Sequence, residues 1–180
     1  MSTVRDDSGM KDKKIVCASI GVIHSRHVRP EETPIQPVYA RGCPGTAEIF
    51  SEYADGLKDI EGFSHLWLIY HFHRSGPFSL VVTPFLDDAP RGLFATRHPC
   101  RPNGIGVSVV RLIRHEGSTL YLEDVDILDG TPLLDIKPFL PACDVPRDVR
   151  GGWTERLDRG ESERRGRRGY RKGDDGENGE

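Results

Sequence analysis

The sequence lacks the features that mark several large protein classes. Its 180 residues include four cysteines, Cys17, Cys43, Cys100 and Cys143. No two of them form a CxxC pair, which argues against a structural zinc site and against a disulfide framework. No run of eighteen apolar residues occurs, so a membrane-spanning helix is not expected. The opening MSTVRDDSGMKDKK is charged where a secretory leader would be apolar. A cytoplasmic protein is therefore expected, with neither a membrane nor DNA as partner. No glycine pattern fits a dinucleotide or P-loop fingerprint, and no GxSxG, Ser-His-Asp or Cys-His signature appears. From Arg159 onward aliphatic residues are missing altogether. Such a stretch cannot bury enough surface to offset chain entropy. Residues 1–13 and 158–180 are thus expected to be disordered, leaving 14–157 as one domain.

What is present reads mainly as β-structure. Ile15–Ile23 is a β-rich run, followed by a long loop broken by Pro30, Pro34 and Pro37. In GTAEIFSEYADGLKDI the spacing of Ile49, Tyr53, Leu57 and Ile60 predicts a short amphipathic helix, although Gly56 interrupts it and a strand remains open. Gly62–His73 is dense in aromatic and β-branched residues and reads as a buried strand. SLVVTPFL, GLFAT, GVSVVRLIRHEG and TLYLEDVDIL follow as further strands. The last two join through His115-Glu116-Gly117-Ser118, a hairpin connection. Short strands separated by turn signals predict a mainly β fold. The expected form is a single antiparallel β-barrel with a short helix, long loops and disordered tails.

Three segments carry chemistry. RHPCRPNGIG (Arg97–Gly106) combines chain-bending Pro and Gly with two guanidinium forks, Arg97 and Arg101, suited to a carboxylate or phosphate. Bare backbone at Gly104 and Gly106 would let a ligand approach, and a structural turn at a barrel rim stays open as the other reading. EDVDILDGTPLLDIKPFLP crowds Asp124, Asp126, Asp129 and Asp135 around an Asp-Gly turn. His71 and His73 share one face of a predicted strand, and His65 could join them. No further ligands can be placed, so no metal is assigned. The arginines of the tail could contact phosphates or could simply solubilise the chain.

Taken in order, IGVIHS with PIQP downstream, LKDIEGFSHLWLIYHFH, GLFATRHPCRPNGIGVSVV and DILDGTPLLDIKPFLP resemble the TsaA-like family. Its best-known members are TrmO-type tRNA (adenine-N6) methyltransferases. The resemblance covers about Val16 to Leu140. It implies an antiparallel β-barrel that binds S-adenosyl-L-methionine, forms a homodimer and takes tRNA as partner. The implied reaction methylates N6 of N6-threonylcarbamoyladenosine next to the anticodon. The same barrel acting on a small molecule or a protein, or as a non-catalytic binding module, stays open.

Carried onto this chain, the resemblance assigns cofactor contacts to Pro34, Ile35, Gln36, His73, Arg74, Arg97, Val107, Glu123, Asp124, Val125 and Asp126. Asp129, Asp135 and Lys137 are the catalytic candidates on the substrate side, where a base takes the proton shed by the attacking nitrogen. Phe139 stands where the family typically has tyrosine. The chain is expected to do without the extra C-terminal domain of many bacterial members, so that docking of tRNA would fall to the barrel and the basic tail.

Overall fold

The computed structural model describes residues 14–168. Among these, the strands are β1 (Gly21–Ser25), β2 (Gly45–Ile49), β3 (His65–His71), β4 (Val81–Val82), β5 (Arg91–Gly92), β6 (Ile105–Glu116), β7 (Thr119–Glu123) and β8 (Thr131–Pro138). Six of them close into an antiparallel barrel in the order β1, β2, β7, β6, β3, β8, with β8 returning to β1. β4 and β5 form a separate ribbon. The expected mainly β, single-barrel architecture is the one observed.

Alternation along the strands decides which side chains fill the barrel. On β3, Leu66, Leu68 and Tyr70 point inward while His65, Trp67, Ile69 and His71 point outward. Ile23, Ala47, Val110, Leu120 and Leu133 complete the core, all fully buried. Two register shifts let this narrow barrel bend, one in β3–β8 at Ile69/Tyr70 and one in β6–β7 at Leu112/Arg114. The first sets Asp135 opposite Ile69 and Lys137 opposite Trp67, both facing outward.

Several local expectations are corrected. The first strand starts at Gly21, not Ile15. The segment expected as a helix is β2 followed by a 3-10 helix, Ser51–Leu57. Ile49, Leu57 and Ile60 do face the core, whereas Tyr53 is exposed, so the spacing marked a buried side and not an α-helix. β3 ends at His71, leaving His73 beyond it and off the shared face. The strand expected at GLFAT is mostly a 3-10 turn, Leu93–Ala95. β7 stops at Glu123, where Asp124 takes a left-handed backbone conformation with φ of 65°.

The largest correction concerns the tail. A short α1 (Pro141–Asp144) is followed by α2 (Arg159–Arg167) within the segment expected to be disordered. Asp158 caps α2 by accepting from the Glu161 N–H at 2.8 Å. Glu161 pairs with Arg164 and Arg165, and Glu163 with Arg167. These ion pairs occupy much of the positive charge that could otherwise contact phosphates. The rest of the expected disorder, at 1–13 and 169–180, lies outside the described residues.

Antiparallel pairing brings one end of every barrel strand to a single mouth. Ser25 lies opposite Gly45, Gly45 opposite Leu122, and Ile23 opposite Thr131. Across β3, His71 lies opposite Ile105 and Tyr70 opposite Leu133. The loops that follow these ends hold nearly all the residues singled out above.

Candidate functional site

The mouth is built around Asp126. This residue follows the kink at Asp124, whose Oδ1 accepts from the Gly42 N–H at 2.7 Å and fixes the loop against the barrel. Val125 is fully buried, and its N–H donates to Cys43 O at 3.2 Å. Its carbonyl lies 3.0 Å from Nε2 of buried His27, which is also 3.1 Å from Cys43 Sγ. Burial holds His27 below the usual histidine range, so the neutral ring donates to that carbonyl. These contacts aim Asp126 inward, where it is 7% exposed and its Oδ1 has no hydrogen-bond partner.

A buried carboxyl with an unpartnered oxygen is costly, and its acidity reports the cost. Burial pushes Asp126 up to about 7; the Ser108 hydroxyl, its own backbone and Arg97 offset only part of that rise. Ser108 also lies 3.1 Å from the buried Tyr70 hydroxyl. Burial and the charge of Asp126 raise the Tyr70 pKa, so the phenol stays protonated. Tyr70, Ser108 and Asp126 therefore form a buried polar cluster at the upper end of a largely apolar barrel, the end at which buried Thr131 also lies. Tyr70 and Ser108 went unrecognised in the sequence. The available signal was a hydroxyl at an inward position of GVSVV.

Above this buried acid lies an exposed cation. Arg97 Nη1 donates to Gln36 Oε1 at 2.5 Å, joining the PIQP loop to the loop before β6. Pro34, two residues before Gln36, is fully buried. On the other side, Arg74 donates to Val28 O at 3.1 Å, and His73 Nδ1 lies 3.4 Å from Thr131 Oγ1. Burial, then the nearby Arg74 and His71, holds His73 below the ordinary histidine range. Asp129 stands at the same mouth, its Oδ1 3.2 Å from both His24 Nδ1 and the Ser25 N–H.

Other expected residues lie elsewhere. Val107 points to the outer wall, opposite Ile69. Asp135 and Lys137 pair with each other on that wall at 2.7 Å. Lys137, six residues along β8 from Thr131, is roughly 20 Å from the mouth. Glu123 is tied to Arg111 in a cross-strand ion pair. Arg101 turns back onto its own loop, donating to Thr96 O at 3.0 Å. The glycines do not leave bare backbone for a ligand. A side chain on Gly106 would meet the Tyr70 ring at 2.2 Å, and one on Gly104 would face His71. The space at Gly106 is filled by the protein's own tyrosine. Phe139 packs against Trp67 and His65 at the opposite end of β3.

This arrangement can hold a small polar ligand with a carboxylate for Arg97 and a hydroxyl or cationic group for Asp126. The chain is 55% identical over 137 residues to a Pyrococcus abyssi protein named as a probable S-adenosyl-L-methionine-binding protein, covering 76% of this chain and 74% of that one. It is 38% identical over 137 residues to the human tRNA (adenine(37)-N6)-methyltransferase, covering 72% of this chain but only 31% of the human protein. A crystal structure of TrmO from Pseudomonas aeruginosa superimposes with a TM-score of 0.66 at 38% identity, covering 78% of this chain and 63% of that one. This chain thus spans about a third of the human relative and under two thirds of the solved one. The model of the tRNA-methyltransferase O N-terminal domain matches residues 22–145, from β1 through α1. The chain belongs to that family.

Proposed function

We propose that this chain is an S-adenosyl-L-methionine-dependent methyltransferase. In this reading it acts on N6 of the adenine next to the tRNA anticodon, with N6-threonylcarbamoyladenosine as the acceptor. The observation that carries the reading is Asp126, a buried carboxyl with an unpartnered Oδ1, near enough to Arg97 to feel its charge. The residues fit the cofactor. Arg97 is exposed and suited to its carboxylate, while Asp126 offers an acceptor to its hydroxyl or cationic groups. His73, kept neutral, adds no repelling charge at the mouth. When bound, the cofactor supplies a methyl group carried on a sulfonium.

The chain's own residues then orient and exclude water, which is most of what an in-line displacement requires. Gln36 and Arg97 come to the mouth from two loops, and the fully buried Pro34 and Val125 hold the backbone beside Gln36 and Asp126 in place. Of the three substrate-side candidates, Asp129 alone stands at the mouth, where it can take the proton that the attacking nitrogen loses. In this reading the chain works in the cytoplasm as a homodimer. The outward-facing Val107, 41% exposed, adjoins Trp67 and Ile69 on a wall that a second copy would cover.

Calorimetry with S-adenosyl-L-methionine and its homocysteine product, followed by methyl transfer to threonylcarbamoylated and unmodified tRNA, tests the proposal. Saturable cofactor binding and labelling of the modified tRNA alone are expected. Cofactor binding without labelling of either tRNA overturns the acceptor; absence of binding overturns the activity.

A further inference from the structure

The family match ends at residue 145, yet the chain beyond it returns to the mouth of the barrel. β8 finishes at the far end, and α1 fastens there, with Asp144 Oδ2 accepting from Trp67 Nε1 at 3.1 Å. The following segment then makes two anchors at the site. Trp153 Nε1 donates to Ala95 O at 2.8 Å, two residues before Arg97. Gly166, buried in α2, accepts from the Ile35 N–H at 3.0 Å, one residue before Gln36. Two further contacts bracket that second anchor. Arg165 donates to both oxygens of Asp88, at 2.8 and 3.1 Å. Arg168 donates to Pro30 O at 2.6 Å and lies over the Phe85 ring, 4.6 Å from its centre.

Arg97 and Gln36 bond to each other across two long loops that have little regular structure of their own. Each loop is tied to the same C-terminal segment immediately beside its functional residue. The fit at Gly166 is close: a Cβ there would meet three atoms of the Tyr39 ring at 2.4 to 2.6 Å. A freely solvated helix would gain from alanine in place of glycine; a helix seated on Tyr39 loses its seat.

We propose that the C-terminal segment carrying Trp153 and Gly166 is a positioning element of the cofactor site, holding Arg97 and Gln36 at bonding distance. The inference rests on the proposed cofactor reading. Trp153 and Gly166 are positioning residues: they act through Ala95 and Ile35.

The test uses the full chain with Gly166→Leu, Trp153→Ala, Gly166→Ala, and Gly166→Ala combined with Tyr39→Val. Calorimetry with S-adenosylhomocysteine is read beside thermal unfolding of each protein. The first three variants are expected to bind about tenfold or more weakly while unfolding within a few degrees of wild type. The Tyr39→Val partner should restore most of the affinity lost by Gly166→Ala, which general destabilisation would not permit. Binding by wild type with affinity within about twofold in both Gly166→Leu and Trp153→Ala overturns this inference and leaves the proposed function standing. A wild-type chain that binds no S-adenosylhomocysteine overturns the proposed function and the cofactor role of the segment with it.

Discussion

At the scale of single residues, Asp126 sets the chemistry of the site against the stability of the fold. Its ionisation shifts from 3.8 up to about 7 because burial disfavours the carboxylate. Well below pH 4 the folded and unfolded chains both carry the acid form, and the shift costs nothing. As pH rises through the unfolded value, the unfolded chain ionises first and is favoured. The cost reaches a few kcal/mol above about pH 7. Asp126→Asn should therefore raise the melting temperature at about pH 8 and change it little at about pH 4, while weakening cofactor binding. Equal melting temperatures at both pH values would refute the buried-acid account. Arg97→Ala should weaken cofactor binding by about 1.5–3 kcal/mol, read by calorimetry, since it removes a charged hydrogen-bond donor. Gly106→Ala should lower stability by about 1–3 kcal/mol in denaturant unfolding, because the methyl group must displace the Tyr70 ring.

At the scale of elements, legibility followed burial pattern. β3 announced itself by its aromatic and β-branched residues, and β6 and β7 by the hairpin connection between them. β8 did not: Leu133 and Leu134 are adjacent, prolines stand at Pro132 and Pro138, and the register shift breaks the period. β2 was hidden because Ile49, Leu57 and Ile60 face one core from a strand and two 3-10 turns, imitating a helical stripe. α2 was invisible because it docks through a glycine backbone and arginine side chains and presents no apolar face. The motif segments pointed to the mouth, but the sequence could not show that Asp135 and Lys137 face the outer wall. At Asp124, the left-handed backbone and the bond to Gly42 act together. Asp124→Ala should cost about 1–3 kcal/mol in unfolding measurements, whereas Asn, which tolerates that backbone and keeps an acceptor, should cost less.

At the scale of the whole molecule, buried polar groups gather at one end of the barrel, while the outer wall exposes Trp67, Ile69 and Val107 beside the Asp135–Lys137 pair. If that wall is the face between two copies, Ile69→Asp should shift sedimentation from dimer to monomer. Unchanged sedimentation would remove the wall from the interface.

Closure of the barrel has a mechanical consequence. The joint between β1 and β8 is short: Gly21, Val22 and Ile23 face Leu133, Pro132 and Thr131, and Pro132 offers no N–H to it. β3 and β6, by contrast, zip together from His65 to His71. A cylinder fails first along its thinnest seam. Thermal breathing should therefore begin there, with amide exchange at Ile23 and Leu133 running ahead of exchange at Leu68 and Val110. The seam runs up to Thr131, whose hydroxyl lies 3.4 Å from His73 Nδ1. A ligand seated at the mouth would act as a hoop around the staves, slowing exchange at a joint that it never touches.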